Sequence, residues 1–278
     1  MQRRRRFYIL CTVALIAGLS MVVLLLLPRI IHHRGLIFLA DAQVSAWADC
    51  YHDAGGAALY YRLLPPRGYA DRPAGQRYPL LISLHGDGCA GTDNVNQFSY
   101  IAPFVSAPTF RCDHPCFVLA PQCPANTYWV AKSSYNGNSY RQTAQPTPAT
   151  RMLLALLPTL LAKYPIDANR LYVIGWSSGG AGVWELITRR PDLFAAAAPL
   201  CGRGDPGKAS RIARMPIWVF HGAKDRVVGC SCARIMVQAL VAQGGAPRYT
   251  EYADAGHDAG FRALQDPRLF DWMFRQHR

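Results

Sequence analysis

The sequence predicts an α/β protein, with a mostly parallel sheet and helices on both of its faces. Three observations carry that expectation. Apolar runs of strand length alternate with longer runs of helix length along most of the chain. Gly- and Pro-containing turns punctuate them. Finally, the pentapeptide Gly175-Trp176-Ser177-Ser178-Gly179 stands where one apolar run gives way to a helical one. No internal repeat appears.

The N-terminus is different in kind. Arg3 to Arg6 form a basic cluster, followed by Phe7 through Leu27, 21 residues without a charge. As a helix this run is roughly 31 Å long, about the hydrocarbon thickness of a bilayer. A cleavable signal has an apolar stretch of only roughly 7–15 residues. Residues 1–31 are therefore expected to form a basic N-terminus and a signal-anchor transmembrane helix. The arginines ahead of the span are expected to keep the N-terminus cytoplasmic, which puts the bulk of the chain outside the cytoplasm, in the periplasm. The alternative is a secreted chain cleaved near Ala40-Asp41-Ala42, a site 13 residues past the apolar run. Residues 32–56 read as a tether and residues 57–278 as the folded domain.

Within that domain, Ala57 to Leu64 reads as a strand ended by Pro65-Pro66. Pro79 to His85 is a buried strand before the Gly86-Asp87-Gly88 turn, and Phe117 to Pro121 is a third. Lys132 to Pro148 is polar and rich in Ser, Asn, Gly and Pro, a surface loop. Thr150 to Tyr164 is helical, with Pro158 expected to kink or divide it. Leu171 to Gly175 is the strand before the pentapeptide, and Val183 to Arg190 continues as helix. Ala195 to Leu200 has the length of a strand but poor propensity. Ile217 to His221 and Arg248 to Tyr252 complete the strands. Ser231 to Gln243 is a helix stopped by Gly244-Gly245, and Asp266-Pro267 opens the last helix as N-cap and first-turn proline.

The net charge of +13 falls to about +7 once Arg3 to Arg6, Arg29 and Arg34 are set aside. No basic stripe interleaved with aromatics and no phosphate-binding loop is present, which argues against nucleic acid and nucleotide partners. Outside the apolar span, an even set of cysteines remains: Cys50, Cys89, Cys112, Cys116, Cys123, Cys201, Cys230 and Cys232. In an exported domain such a set is expected to form disulfides, with pairings the sequence does not fix. Cys112, His114, Cys116 and Cys123 also stand at metal-like spacing, a weaker reading in an oxidising compartment.

The pentapeptide is G-x-S-x-G. A serine on a sharp strand-to-helix turn stands clear of the backbone, and the flanking glycines tolerate the close neighbours that such a turn forces. A serine hydroxyl is a poor nucleophile. It needs a histidine to take its proton, an acid to orient that histidine, and backbone N–H donors for the developing oxyanion. Asp225, four residues past the Ile217–His221 strand, is the candidate acid. His257, in the loop after the Arg248–Tyr252 strand, is the candidate base. Asp205 is an alternative acid; Asp254 and Asp258 would have to fold back on His257. The oxyanion donors are expected to be the backbone N–H groups of Asp87 and Ser178. His85 and His221 each begin a His-Gly pair at a strand end and read as structural. Trp129 is a candidate wall of the substrate cleft, whereas Trp176 and Trp184 read as packing residues. This chemistry calls for no cofactor and no metal.

These residues resemble the α/β-hydrolase superfamily, and within it exported esterases of the feruloyl esterase, polyhydroxybutyrate depolymerase and phospholipase/carboxylesterase type. The resemblance is carried by Tyr78 to Gly88 with Gly91-Thr92-Asp93-Asn94, by Ala120 to Pro124 with Trp129, and by Tyr164 to Asp167 before Arg170. The serine elbow with Gly179-Gly180, Pro191 to Phe194, and Phe220 to Asp225 complete it. It runs from about Ala57 to the last helix. It implies a Ser177–Asp225–His257 triad, Asp87 and Ser178 as oxyanion donors, and a small-molecule or polymer-borne ester as substrate. Such families often read Gly-x-Ser-Met-Gly-Gly; here Ser178 replaces the methionine, which leaves the backbone donor in place. The cysteine-bearing inserts at Cys112–Cys123 and Cys230–Cys232 depart from the pattern. Two competing expectations are a serine peptidase on the same fold and a non-catalytic binding domain that kept it.

Overall fold

The computed structural model describes residues 48–53, as backbone only, and residues 58–278. The apolar run Phe7–Leu27 and its expected membrane span lie outside them. Among the described residues no helix is long and apolar enough to cross a membrane.

The sheet opens with β1 (Ala48–Asp53), β2 (Ala58–Leu64), β3 (Tyr78–Leu84) and β4 (Phe117–Pro121). A two-stranded hairpin, β5 (Tyr135–Asn136) and β6 (Ser139–Tyr140), stands apart from it in the polar loop. The sheet resumes with β7 (Ile166–Trp176), β8 (Ala196–Leu200), β9 (Trp218–Gly222) and β10 (Arg248–Tyr252). The strand order is β1-β2-β4-β3-β7-β8-β9-β10. β1 pairs antiparallel with β2, and β2 antiparallel with β4; every later pair is parallel. The sheet thus begins earlier than Ala57, inside the stretch read as a tether.

Alternation along the strands explains why both faces are covered. Leu80, Ile82 and Leu84 of β3 and Leu171 and Val173 of β7 join one buried cluster. The same cluster takes in Met152, Leu156 and Leu160 of the helix Pro148–Lys163, Val183 and Leu186 of Ser178–Arg189, and Met236 and Leu240 of Ser231–Ala242. Tyr172 and Trp218, one residue out of step with Val173 and Val219, meet instead the C-terminal helix Pro267–Phe274. The ring centroids are 5.0 Å apart for Tyr172–Phe274 and 5.4 Å for Trp218–Trp272.

Two local departures from propensity have a physical account. Helix Pro148–Lys163 runs through Pro158 without dividing, with that proline on its exposed face, clear of the packed core. β8 holds Pro199 in the middle of the sheet. Ala197 and Cys201 donate across to Pro216 and Phe220 at 3.1 and 2.9 Å, and Pro199, the alternate position between them, has no N–H to give. The β8–β9 ladder is accordingly thin, with Leu200 opposite Phe220 as its paired register position.

The disulfide expectation is corrected. Cys89, Cys112, Cys116, Cys123, Cys201, Cys230 and Cys232 are all free thiols; the side chains of Cys11 and Cys50 lie outside the described residues. The reason is placement. Cys89, Cys116, Cys123, Cys201 and Cys232 are buried and pack as small hydrophobes. Burial pushes the Cys116 thiol up and that of Cys123 to about 12. The metal-like spacing does not gather either. His114 stacks on Phe274 at 4.8 Å, Cys112 is exposed beside Arg67, and Cys123 Sγ contacts Thr127 Oγ1 at 3.3 Å.

Candidate active site

The strand order reverses at β3: β4 lies on one side of it and β7 on the other, all three parallel. In open parallel sheets, ligands bind at such switch points, beyond the carboxyl ends of the strands. The loops after β3 and β7 are those of Asp87 and Ser177.

Ser177 follows the last residue of β7 and immediately precedes helix Ser178–Arg189. Its backbone stands at φ 60 and ψ −119, a left-handed conformation that costs a non-glycine residue about 1–3 kcal/mol. Close packing holds it there. A Cβ on Gly175 would meet Gly179 O at 2.3 Å, and one on Gly179 would meet Leu84 O at 2.2 Å. Only glycines let strand and helix approach this closely. The Ser177 hydroxyl does not cap the helix.

Asp225 and His257 meet. Nδ1 of His257 donates to Asp225 Oδ2 at 2.6 Å, and the buried carboxylate also accepts the N–H groups of Val227 and Val228 at 2.9 Å each. That bond leaves Nε2 of His257 as the free ring nitrogen. Ser177, His257, Gly86, Asp87, Tyr100 and Trp176 line one cleft of about 180 Å³. Among the described residues no hydrogen bond joins the Ser177 hydroxyl to His257; a catalytic contact of this kind often tightens only when substrate is bound.

Of the expected oxyanion donors, Asp87 lines the same cleft as Ser177 and Ser178 follows it in the chain. Gly86 packs so closely that an added Cβ would lie 3.6 Å from Ser177 Cβ. Ser178 is the first residue of its helix, where N–H groups lack intrahelical partners. The Asp87 carboxylate lies 3.9 Å from Lys132 Nζ.

Trp129 is corrected as a cleft wall. It is 2 % exposed, and its indole donates to the His85 carbonyl at 3.0 Å. It ties down the loop that follows β3. His85 itself accepts from Cys123 N at 2.9 Å and bonds the Gly86 carbonyl at 2.8 Å, and burial lowers its pKa to about 4. His221 bonds the Val228 carbonyl at 2.7 Å and stands 3.4 Å from Asp225 Oδ2; burial lowers its pKa too. Both histidines tie loop backbone. The other candidate acids lie elsewhere. Asp205 accepts from Gln142 N and Gly207 N at 2.8 and 2.9 Å, Asp254 pairs with Arg262 at 2.8 Å, and Asp258 accepts from Gly256 N at 2.9 Å.

Sequence reasoning missed Tyr100, the place of Cys201 beside Asp225 and His257, and the part played by Trp176. Cys201 follows β8, is fully buried and has φ 49. Its sulfur lies within 4.8 Å of donor atoms on both Asp225 and His257. The carboxylate and imidazole are already bonded to each other, and burial pushes the thiol up to about 12. The available signal was its place, one residue past the end of the strand next to β7. Tyr100 stacks edge-on to Trp176 at 4.7 Å, and Trp176 in turn packs on Phe261 at 4.4 Å, giving the cleft an aromatic wall.

Fold and site together define an α/β-hydrolase type of architecture. Residues 119–269 match the dienelactone hydrolase family, and the chain belongs to that family. It is similar to a crystal structure described as a thermostable esterase, at 35% identity and TM-score 0.77, over 85% of this chain and 64% of that one. It is 27% identical to poly(3-hydroxyalkanoate) depolymerase C of Paucimonas lemoignei over 130 residues, 45% of this chain and 28% of that protein. It is 22% identical to feruloyl esterase B of Talaromyces funiculosus over 166 residues, 58% and 39% of the two chains. The chain thus spans well under half the length of these two curated relatives.

Proposed function

We propose that the chain is a carboxylic ester hydrolase working through an acyl-enzyme. Ser177 is the nucleophile, His257 the general base and then acid, and Asp225 the residue that orients and stabilises the imidazolium. The N–H groups of Asp87 and Ser178 hold the oxyanion. One observation carries this reading: the 2.6 Å bond from Asp225 to His257 Nδ1, in a cleft that His257 shares with a strained, uncapped serine. The bond fixes the tautomer, so Nε2 is the nitrogen left to take the serine proton. The names of the similar esterases support the substrate class. The aromatic wall and the cleft of about 180 Å³ favour short or aromatic acyl groups. The 21-residue uncharged run after Arg3–Arg6 supports anchoring by a single N-terminal span, with the catalytic domain outside the cytoplasm.

Hydrolysis of a panel of p-nitrophenyl esters, with a peptide amide as control, tests the class. Short and aromatic esters should be cleaved and the amide left nearly untouched; a preference for the amide would reverse the reading. Protease accessibility of the domain in intact cells against permeabilised ones tests the anchor. Protection in both would contradict it.

A further inference from the structure

The triad leaves two buried donors without a role, and both reach the same acceptor. The indole N–H of Trp176 donates to the backbone carbonyl of His257 at 3.1 Å, and the Cys201 thiol lies 3.8 Å from that same oxygen. We propose that Trp176 and Cys201 are positioning residues that clamp the His257 carbonyl and so fix the imidazole relative to Ser177. The proposal rests on the reading of Ser177 as nucleophile and His257 as base.

The sheet explains why such a clamp is needed. His257 hangs from β10, an edge strand, whereas Ser177 stands on β7, three strands away. At the usual strand spacing of about 4.8 Å, the base must reach across roughly 14 Å of strand ends. Its loop is tied to the neighbouring acid loop by Lys224 N donating to Ala255 O at 2.9 Å, and by Gly222, where a Cβ would strike Gly256 O at 2.1 Å. Those ties register the base against the acid. They do not register it against the nucleophile.

Trp176 and Cys201 supply that second registration. Trp176 is bonded directly to Ser177 through the chain and pairs in register with Leu200, so Trp176 and Cys201 occupy neighbouring strand ends. The indole is held from several sides. Its ring lies 5.8 Å from the His257 ring and 4.4 Å from that of Phe261, and a Cβ on Gly260 would meet it at 2.7 Å. A glycine in the first turn of the helix after His257 thus makes room for the indole. Burial pushes the thiol up to about 12, which favours the S–H form that can donate. Trp176 therefore does two things: it walls the cleft and it carries the position of the nucleophile to the base.

Trp176→Phe keeps an aromatic ring in the wall and removes the fused five-membered ring with its N–H. It is expected to lower kcat on p-nitrophenyl acetate by about 10- to 100-fold, the loss that a misplacement of about 1 Å can cause, while KM stays within about threefold. The low-field proton resonance of the His257 Nδ1–H should shift or broaden. Gly260→Ala, which pushes on the indole, should move kcat in the same direction. Trp176→Phe combined with Cys201→Ala should lose less than the product of the two single losses, since both act on one carbonyl. Should Trp176→Phe fail to fold, Gly260→Ala and Cys201→Ala carry the same kcat and resonance tests. An unchanged kcat, or a loss confined to KM with the resonance in place, would reduce Trp176 to a wall and overturn the clamp. Wild-type protein that takes no fluorophosphonate label at Ser177 would instead sink the reading beneath it.

Discussion

Two polar regions of this molecule make an instructive contrast. The larger cavity, about 920 Å³, lies under the polar loop and is lined by Ser133–Asn136, Ser139–Thr143 and Asp205–Lys208. The network beside it is closed on itself. Tyr140 donates to Glu185 at 2.7 Å, Gln142 Nε2 to Glu185 at 2.9 Å and to Thr188 at 2.8 Å, and Arg189 pairs with Glu185 at 2.5 Å. The smaller cleft beside Ser177 is the opposite. It holds a strained serine whose hydroxyl caps nothing and an imidazole with one nitrogen spoken for and one open. Satisfied polar groups hold a fold together, whereas groups left unsatisfied at a rigid site are free to meet a substrate. The proposed chemistry is placed by this difference and not by volume.

The largest effect that separates the two regions is expected at the serine. Ser177→Ala should reduce kcat on a short p-nitrophenyl ester by about 10⁴- to 10⁶-fold, the scale at which a nucleophile acting within a triad counts. Asp225→Asn should cost about 10²- to 10⁴-fold, mainly in kcat, because the imidazole loses the partner that fixes its tautomer. Retention of more than a tenth of wild-type kcat in either variant would detach the cleft from the chemistry.

On the other side of the contrast, Glu185→Ala leaves Arg189 without its buried partner. Stability measured by urea unfolding should fall by about 3–5 kcal/mol, with kcat per folded molecule within about twofold of wild type. A variant as stable as wild type but catalytically poor would merge the two regions into one.

His85 sharpens the comparison by pH. The folded protein resists a proton that the unfolded chain accepts below about 6.5, so stability is full above that pH and falls as pH drops toward about 4. The contribution is about 3 kcal/mol, from the size of that shift. His85→Gln should flatten this acid limb relative to wild type in pH-dependent unfolding; an identical limb would show that His85 does not stay neutral. The smallest effect is expected at the rim of the large cavity, where Lys208→Ala should change kcat/KM on small esters by less than about twofold. A tenfold change would make that cavity part of the working site.

The strands and helices were legible because their apolar periods are strong, and the gathering of Ser177, Asp225 and His257 at one end of the sheet because each follows one of its parallel strands. What stayed hidden depends on neighbours distant in sequence. Trp129 looked like a cleft wall because its loop composition says nothing of the His85 carbonyl it bonds. Cys201 was read only as one of the cysteines open to disulfides because nothing local marks a thiol beside a carboxylate 24 positions away. The cysteine count pointed to disulfides because it reports a compartment and not sulfur positions. β1 escaped notice because an edge strand needs no continuous apolar run.

The most direct test is to trap the acyl-enzyme. Wild-type protein quenched milliseconds after mixing with p-nitrophenyl acetate should release a burst of about one nitrophenolate per molecule. The peptide containing Ser177 should carry one acetyl group, and this adduct should be absent in Ser177→Ala and formed far more slowly in His257→Ala. Steady hydrolysis with no acetyl group on that peptide, or with the group on another residue, would contradict the account.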